Sequence, residues 1–293
     1  MYKETEFKNY LDIEKDSALA TIKAYLADVK EFDLYVQSFS FNILACSSEI
    51  VKRFLLKLKD EGKSGSTINR KMVSIRKYYE FLRSIGEIEK NPCTKLAVPK
   101  VENKEFEYLS IEQIEKLLAE PGEDSKGIRD KALLELMYAC GLKVSEVTEL
   151  NIQDVDLRIG FVSCRGDRTK SRIIPIGHHA KEALLRYMKD VRAELIADQR
   201  DTGALFVNYA GQRISRQGIW KIVKLYGKKS GISEDLSPQL IRNSFAAHMI
   251  LNGADLKSLQ ELLGNEDVAT TKLFLALSKV RVMDVYDKTH PRA

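Results

Sequence analysis

Hydrophobic positions near the start of the chain recur at intervals of three and four. From Thr21 to Val36 they fall at Ile22, Tyr25, Leu26, Val29, Phe32 and Tyr35, which is one stripe along a helix of 3.6 residues per turn. Ile50–Leu58 repeats the pattern, with Val51, Phe54, Leu55 and Leu58 facing in and Lys52, Arg53, Lys57 and Lys59 facing out. Ser66–Ile85 repeats it again, with Ile68, Met72, Ile75, Tyr79 and Leu82 between Arg70, Lys71, Arg76 and Lys77. Gly62 and Gly65 separate the last two runs, as chain breakers do. An all-helical domain over residues 1–95 follows.

Residues 91–107 hold Pro92, Pro99 and dense charge without any period, so a linker is expected, placed at 96–107. The second domain, 108–293, opens on Ser110 with Gln113 three residues later, the signature of a capping box. Its helical pattern breaks once, at Phe161–Ile176, where a polar turn precedes Ile173 and Ile174; this reads as a hairpin. Helical spacing returns over 216–229, with Ile219, Ile222, Val223 and Tyr226 as the apolar stripe and Arg216, Lys221, Lys224 and Lys228 elsewhere on the surface.

Length supports this division, since 293 residues exceed one compact core. With 44% hydrophobic and 30% charged residues, disorder is excluded. No apolar run approaches the roughly 18 residues that cross a membrane, and no signal core opens the chain, so a cytoplasmic location is expected. Cys46, Cys93, Cys140 and Cys164 form no Cys-x-x-Cys pair, which indicates neither a zinc site nor a disulfide framework. The net charge of +5 favours an anionic partner only weakly.

The chemistry lies in four short stretches. Residues 236–248 read Leu-Ser-Pro-Gln-Leu-Ile-Arg-Asn-Ser-Phe-Ala-Ala-His, which resembles the box Leu-Ser-Pro-His-x-Leu-Arg-His-x-Phe-Ala-x-His of the tyrosine recombinase (phage integrase) family. Residues 134–150 contain Gly-Leu-Lys-Val-Ser-Glu-Val, similar to that family's Gly-Leu-Arg-x-Ser-Glu-Leu. Residues 168–177 resemble its hairpin motif, and 262–274 resemble Leu-Leu-Gly-His-x-x-x-x-Thr-Thr-x-x-Tyr. The likeness spans nearly the whole chain and is nearest to the bacterial Xer type. It implies a mainly α fold. An N-terminal helical, SAM-like core-binding domain would precede a C-terminal α+β catalytic-type domain with a small antiparallel hairpin or sheet.

In that family a tyrosine hydroxyl attacks a DNA phosphate and forms a 3′-phosphotyrosine. Two arginines and a histidine hold the developing charge, a hairpin lysine protonates the leaving oxygen, and neither metal nor cofactor takes part. Carried to this chain, the resemblance retains Arg242 and replaces the rest: Lys143 for the first arginine, Gln239 and Asn265 for the ring-nitrogen positions, Phe274 for the nucleophile. Phenylalanine has no oxygen with which to attack. Lysine lacks the planar fork that grips two phosphate oxygens, and amides donate a neutral hydrogen bond but cannot carry a proton through the reaction at neutral pH. The hairpin lysine has four candidate replacements: Asp167, Arg165, Arg168 and Lys170.

A silent site is therefore expected on a protein that binds double-stranded DNA. Contacts would come from Arg216, Gln217, Lys221 and Lys224 on the 216–229 helix, from hairpin Arg172, and from Arg70, Lys71, Arg76 and Lys77 on the far side of a C-shaped clamp. The resemblance also implies self-association, or pairing with another recombinase, through the apolar segment 273–285. The competing readings are an active recombinase using a displaced tyrosine such as Tyr286, and a protein-interaction module without DNA. His248 is expected in the core, His178 and His179 in solvent with no metal role, and Trp220 as packing.

Overall fold

The computed structural model describes residues 1–14, 19–94, 96, 106–165, 171–196, 201–264 and 277. The chain forms two compact units, Met1–Lys104 and Glu105–Ala293.

The first unit is helical: α1 (Glu4–Asn9), α2 (Leu19–Gln37), α3 (Ser48–Asp60) and α4 (Gly65–Ser84). The three expected stripes supply its core, with Val29, Phe32, Phe54, Met72, Ile75 and Tyr79 all at 1% exposure or less. Ser64 caps α4 by accepting from Thr67 N–H at 3.3 Å, satisfying a donor that has no partner within the helix. Two expectations change. Cys93 and Leu96, at the edge of the expected linker, are buried in this core. Lys71 does not face outward: it is 6% exposed and pairs with Glu31 at 2.6 Å and Asp28 at 3.3 Å. Asp28 also holds Arg70 and the Ser74 hydroxyl. A buried carboxylate needs such partners, and that need turns part of the basic face of α4 toward α2.

The second unit comprises α5 (Ile111–Ala119), α6 (Ser125–Cys140), α7 (Val144–Glu149), a small sheet, α8 (His178–Arg186), α9 (Arg192–Ile196), α10 (Arg216–Lys229), α11 (Pro238–Leu251) and α12 (Leu256–Leu263). The Ser110–Gln113 capping box forms as expected. Helix α6 is the centre, packed by α5, α8 and α11. Leu133, Leu134, Leu136 and Met137 are buried on more than one side of it, which is why its apolar pattern is not confined to one stripe.

The sheet has three antiparallel strands rather than a hairpin alone: β1 (Val155–Asp156), β2 (Phe161–Cys164) and β3 (Arg172–Pro175), in that order. Val162 pairs with Ile174 and Cys164 with Arg172. Val162, Cys164 and Ile174 are buried while Ile173 is 68% exposed, the alternation of a one-sided sheet. Two residues of β1 are too few to show a period. The fold is mainly helical with a small antiparallel sheet, as the sequence implies.

Candidate DNA-backbone site

Four elements converge on one buried carboxylate. Helix α6 ends at Gly141, whose φ of 56° is left-handed. An added Cβ there would run into the Phe245 ring, so glycine is required on two counts. The turn delivers Lys143 to the N-terminus of α7, and Glu146, three residues on, accepts from Lys143 N–H at 2.7 Å. Strand β3 brings Arg172, which donates to both Glu146 oxygens at 2.7 and 2.9 Å. Helix α11, capped by Ser237 at 3.2 Å from Leu240 N–H, brings Arg242 to 3.9 Å from the same carboxylate.

Both arginines also cap α12. Arg172 Nε donates to Leu262 O at 2.8 Å, and Arg242 donates to Leu263 O at 2.8 Å and to Gly141 O. The last carbonyls of a helix lack partners within it and carry partial negative charge, so two guanidiniums stabilise that end. Gly264 closes the helix at φ 63°, and an added Cβ would lie 2.9 Å from the Arg172 guanidinium.

Burial alone would raise the Glu146 carboxyl. The hydrogen bonds from Arg172 and Lys143 N–H, with the charge of Arg242, overcome that and hold it below its ordinary value. Arg242 is 4% exposed; burial lowers its pKa to about 10, which leaves it charged at neutral pH.

Above this framework lies a cleft of about 260 Å³ lined by Leu142, Lys143, Val144, Ser145, Arg216, Trp220, Pro238, Gln239 and Arg242. The structure thus brings Lys143, Gln239, Arg242 and Arg216 together. Gln239 is exposed and donates to Asn243 at 2.9 Å. Among the described residues, the lining offers cations, an amide, one serine hydroxyl and an indole, but no histidine, carboxylate, thiol or phenol. It suits a tetrahedral anion, and none of its described side chains is a histidine, the usual proton carrier near neutral pH.

Other expected contacts fall differently. Arg172 is not a free phosphate contact, because Glu146 and Leu262 O occupy its guanidinium. Arg216, Gln217, Lys221 and Lys224 are all exposed on α10, with Lys224 3.3 Å from Asp235. In the first unit, Arg70 is exposed, Arg76 donates to Leu96 O at 2.9 Å, and Lys77 pairs with Glu80 at 2.8 Å. Of the hairpin candidates, Arg165 is exposed and 3.9 Å from Asp154. Asp167, Arg168, Lys170, Asn265, Phe274 and Tyr286 lie outside the described residues.

Among single residues, His248 is buried, with Nδ1 2.9 Å from the Tyr138 hydroxyl, and burial lowers its pKa. The exposed His178 lies near Glu182 at 3.2 Å. No metal-binding cluster occurs among the described residues, and none of their helices is long and apolar enough to cross a membrane. All four cysteines are buried and free. Trp220 is not core packing: it is 42% exposed at the cleft. The residue that sequence reasoning missed is Glu146. Its signal was present, an acidic residue in the first turn of a helix three positions after the N-cap.

Residues 107–281 match the phage integrase family model, and residues 5–86 match that of the phage integrase N-terminal SAM-like domain. The chain is 38% identical to the tyrosine recombinase XerD of Staphylococcus epidermidis over 98% of both chains. The Tn1549 transposon integrase, a Tyr-to-Phe variant in complex with transposon right-end DNA, has the same fold (TM-score 0.74, 18% identity, 99% of each chain). So does a lambda integrase dimer bound to a core site (TM-score 0.70, 14% identity, 94% of each chain). The chain belongs to the tyrosine recombinase (phage integrase) family and is Xer-like within it.

Proposed function

We propose that this protein binds double-stranded DNA at recombination-type sites and does not cut it, acting as a site-binding regulator or as the silent partner subunit of an active recombinase. One observation carries this reading. The cleft that seats a phosphate in the resemblance keeps its positive charge, through Lys143, Arg216 and Arg242, while the described residues lining it include neither a histidine nor a phenol. Phe274 at the nucleophile position agrees. Loss of one transition-state donor typically costs about 10²–10³ in rate; here the fork, the ring nitrogens and the attacking oxygen are all replaced.

Binding survives where cutting does not, because a phosphate needs only charge and donors. The Tn1549 integrase with tyrosine changed to phenylalanine is bound to DNA. The exposed Arg216, Gln217, Lys221 and Lys224 on α10 are the proposed contacts outside the cleft, and Arg70, Arg76 and Lys77 those of the N-terminal unit. Each of the two units is proposed to contact the DNA, in the cytoplasm. The lambda integrase is a dimer on its site, and segment 273–285 is the proposed route to pairing here. Leu277, from that segment, packs on the Phe245, Ile250, Leu259 and Leu263 cluster, a surface that an equivalent segment from a neighbouring subunit would also fit.

Selection from a random duplex library at near-physiological salt tests the reading. A recovered half-site, alone or as an inverted pair, supports it. Recovery of no motif would favour backbone binding without sequence choice or a protein-interaction role.

A further inference from the structure

Trp220 is the only tryptophan of the chain. It sits on α10 one turn beyond Arg216, and both line the cleft that also holds Lys143, Gln239 and Arg242. Its neighbours on the inner stripe, Ile219 and Tyr226, are 0% and 2% exposed, whereas Trp220 is 42% exposed. Its N–H makes no hydrogen bond to a described residue. A half-open indole with an unused donor, set among cations, is poorly explained by packing. An indole has an apolar body and a polar tip, and a DNA backbone alternates an apolar sugar with an anionic phosphate.

We propose that Trp220 is a DNA-backbone contact, its indole packing on the deoxyribose next to the phosphate seated in the cleft. The contact rests on the DNA-binding reading above. It acts through apolar area rather than charge, so it adds affinity without releasing counterions.

Acrylamide quenching of the intrinsic fluorescence, with and without a saturating mixed-sequence duplex, reads this position directly because no second tryptophan contributes. Binding is followed separately by anisotropy of a fluorescein-labelled copy of the same duplex. The expected result is that duplex lowers the quenching constant at least about twofold. Trp220→Ala should weaken binding about tenfold with an unchanged salt slope, and Trp220→Phe should recover most of the loss. An unchanged quenching constant in a sample shown by anisotropy to be bound overturns the contact and leaves DNA binding standing. Absence of any anisotropy change overturns both. Equal weakening by Trp220→Ala and Trp220→Phe, or a fall in the salt slope, overturns the apolar mode of contact.

Discussion

Glu146 accepts from both terminal nitrogens of Arg172, at 2.7 and 2.9 Å, and the pair is almost wholly enclosed. Arg172 in turn reaches Leu262 O, and Arg242 reaches Leu263 O. The acid therefore ties together the start of α7, strand β3, helix α11 and the end of α12.

Removing that acid strands two buried cations. Glu146→Gln should cost about 3–5 kcal/mol, the usual penalty for breaking a buried pair by removing one partner, and lower the melting temperature by roughly 10 °C. The pH dependence has a definite sign. The folded pKa lies below the ordinary value of 4.5, so the unfolded state binds more protons in that range. The stabilisation is complete above about 4.5 and is lost as pH falls through the folded value. Thermal melts between about pH 5 and pH 3 should show a steeper loss in the parent than in Glu146→Gln. Parallel curves would deny Glu146 this role.

Gly141 is held by conformation and by space. Gly141→Ala should cost about 2–4 kcal/mol through left-handed strain and the clash with Phe245. It would also displace the carbonyl that accepts from Arg242. Chemical denaturation measures the loss; a change below about 0.5 kcal/mol, as at an ordinary surface site, would contradict the geometry.

Substitutions at Lys71 and Arg216 test the proposed division between structural and DNA-contacting charge. Lys71→Met should cost about 1–3 kcal/mol of stability, because its buried hydrogen bonds to acids vanish, and leave the salt slope of DNA binding unchanged. Arg216→Gln should do the reverse, keeping the melting temperature and lowering the slope by about 1. Reversed outcomes would put Lys71 on the DNA.

Much of this was legible in the sequence. The stripe of α10 is periodic, and Ile219, Ile222, Val223 and Tyr226 are buried as their spacing predicts. Gln239 and Arg242 share a motif three residues apart, which places both on one end of α11. The inward turn of Lys71 was not legible, because its partners Asp28 and Glu31 lie on another helix and no periodicity links them. The pairing of Arg172 was not legible for the same reason: a basic residue on a strand does not disclose the acid facing it from α7. Trp220 lies beside an apolar stripe, and only the position of α11 shows that it borders a cleft.

Restoring the phenol should not restore cutting. Phe274→Tyr supplies an oxygen, but Lys143 and Gln239 still lack the fork and the proton carrier that a phosphoryl transition state needs. A single-substitution variant that recombines DNA efficiently would show that those two positions matter less than proposed.

Whether the protein binds DNA and leaves it intact is tested most directly with a nicked suicide duplex built on the half-site recovered by selection, run on native and denaturing gels. A shifted complex on the native gel with no covalent adduct on the denaturing gel is the expected result. An adduct that survives denaturation would contradict it, and mapping that adduct to Tyr286 would identify an active recombinase with a displaced nucleophile.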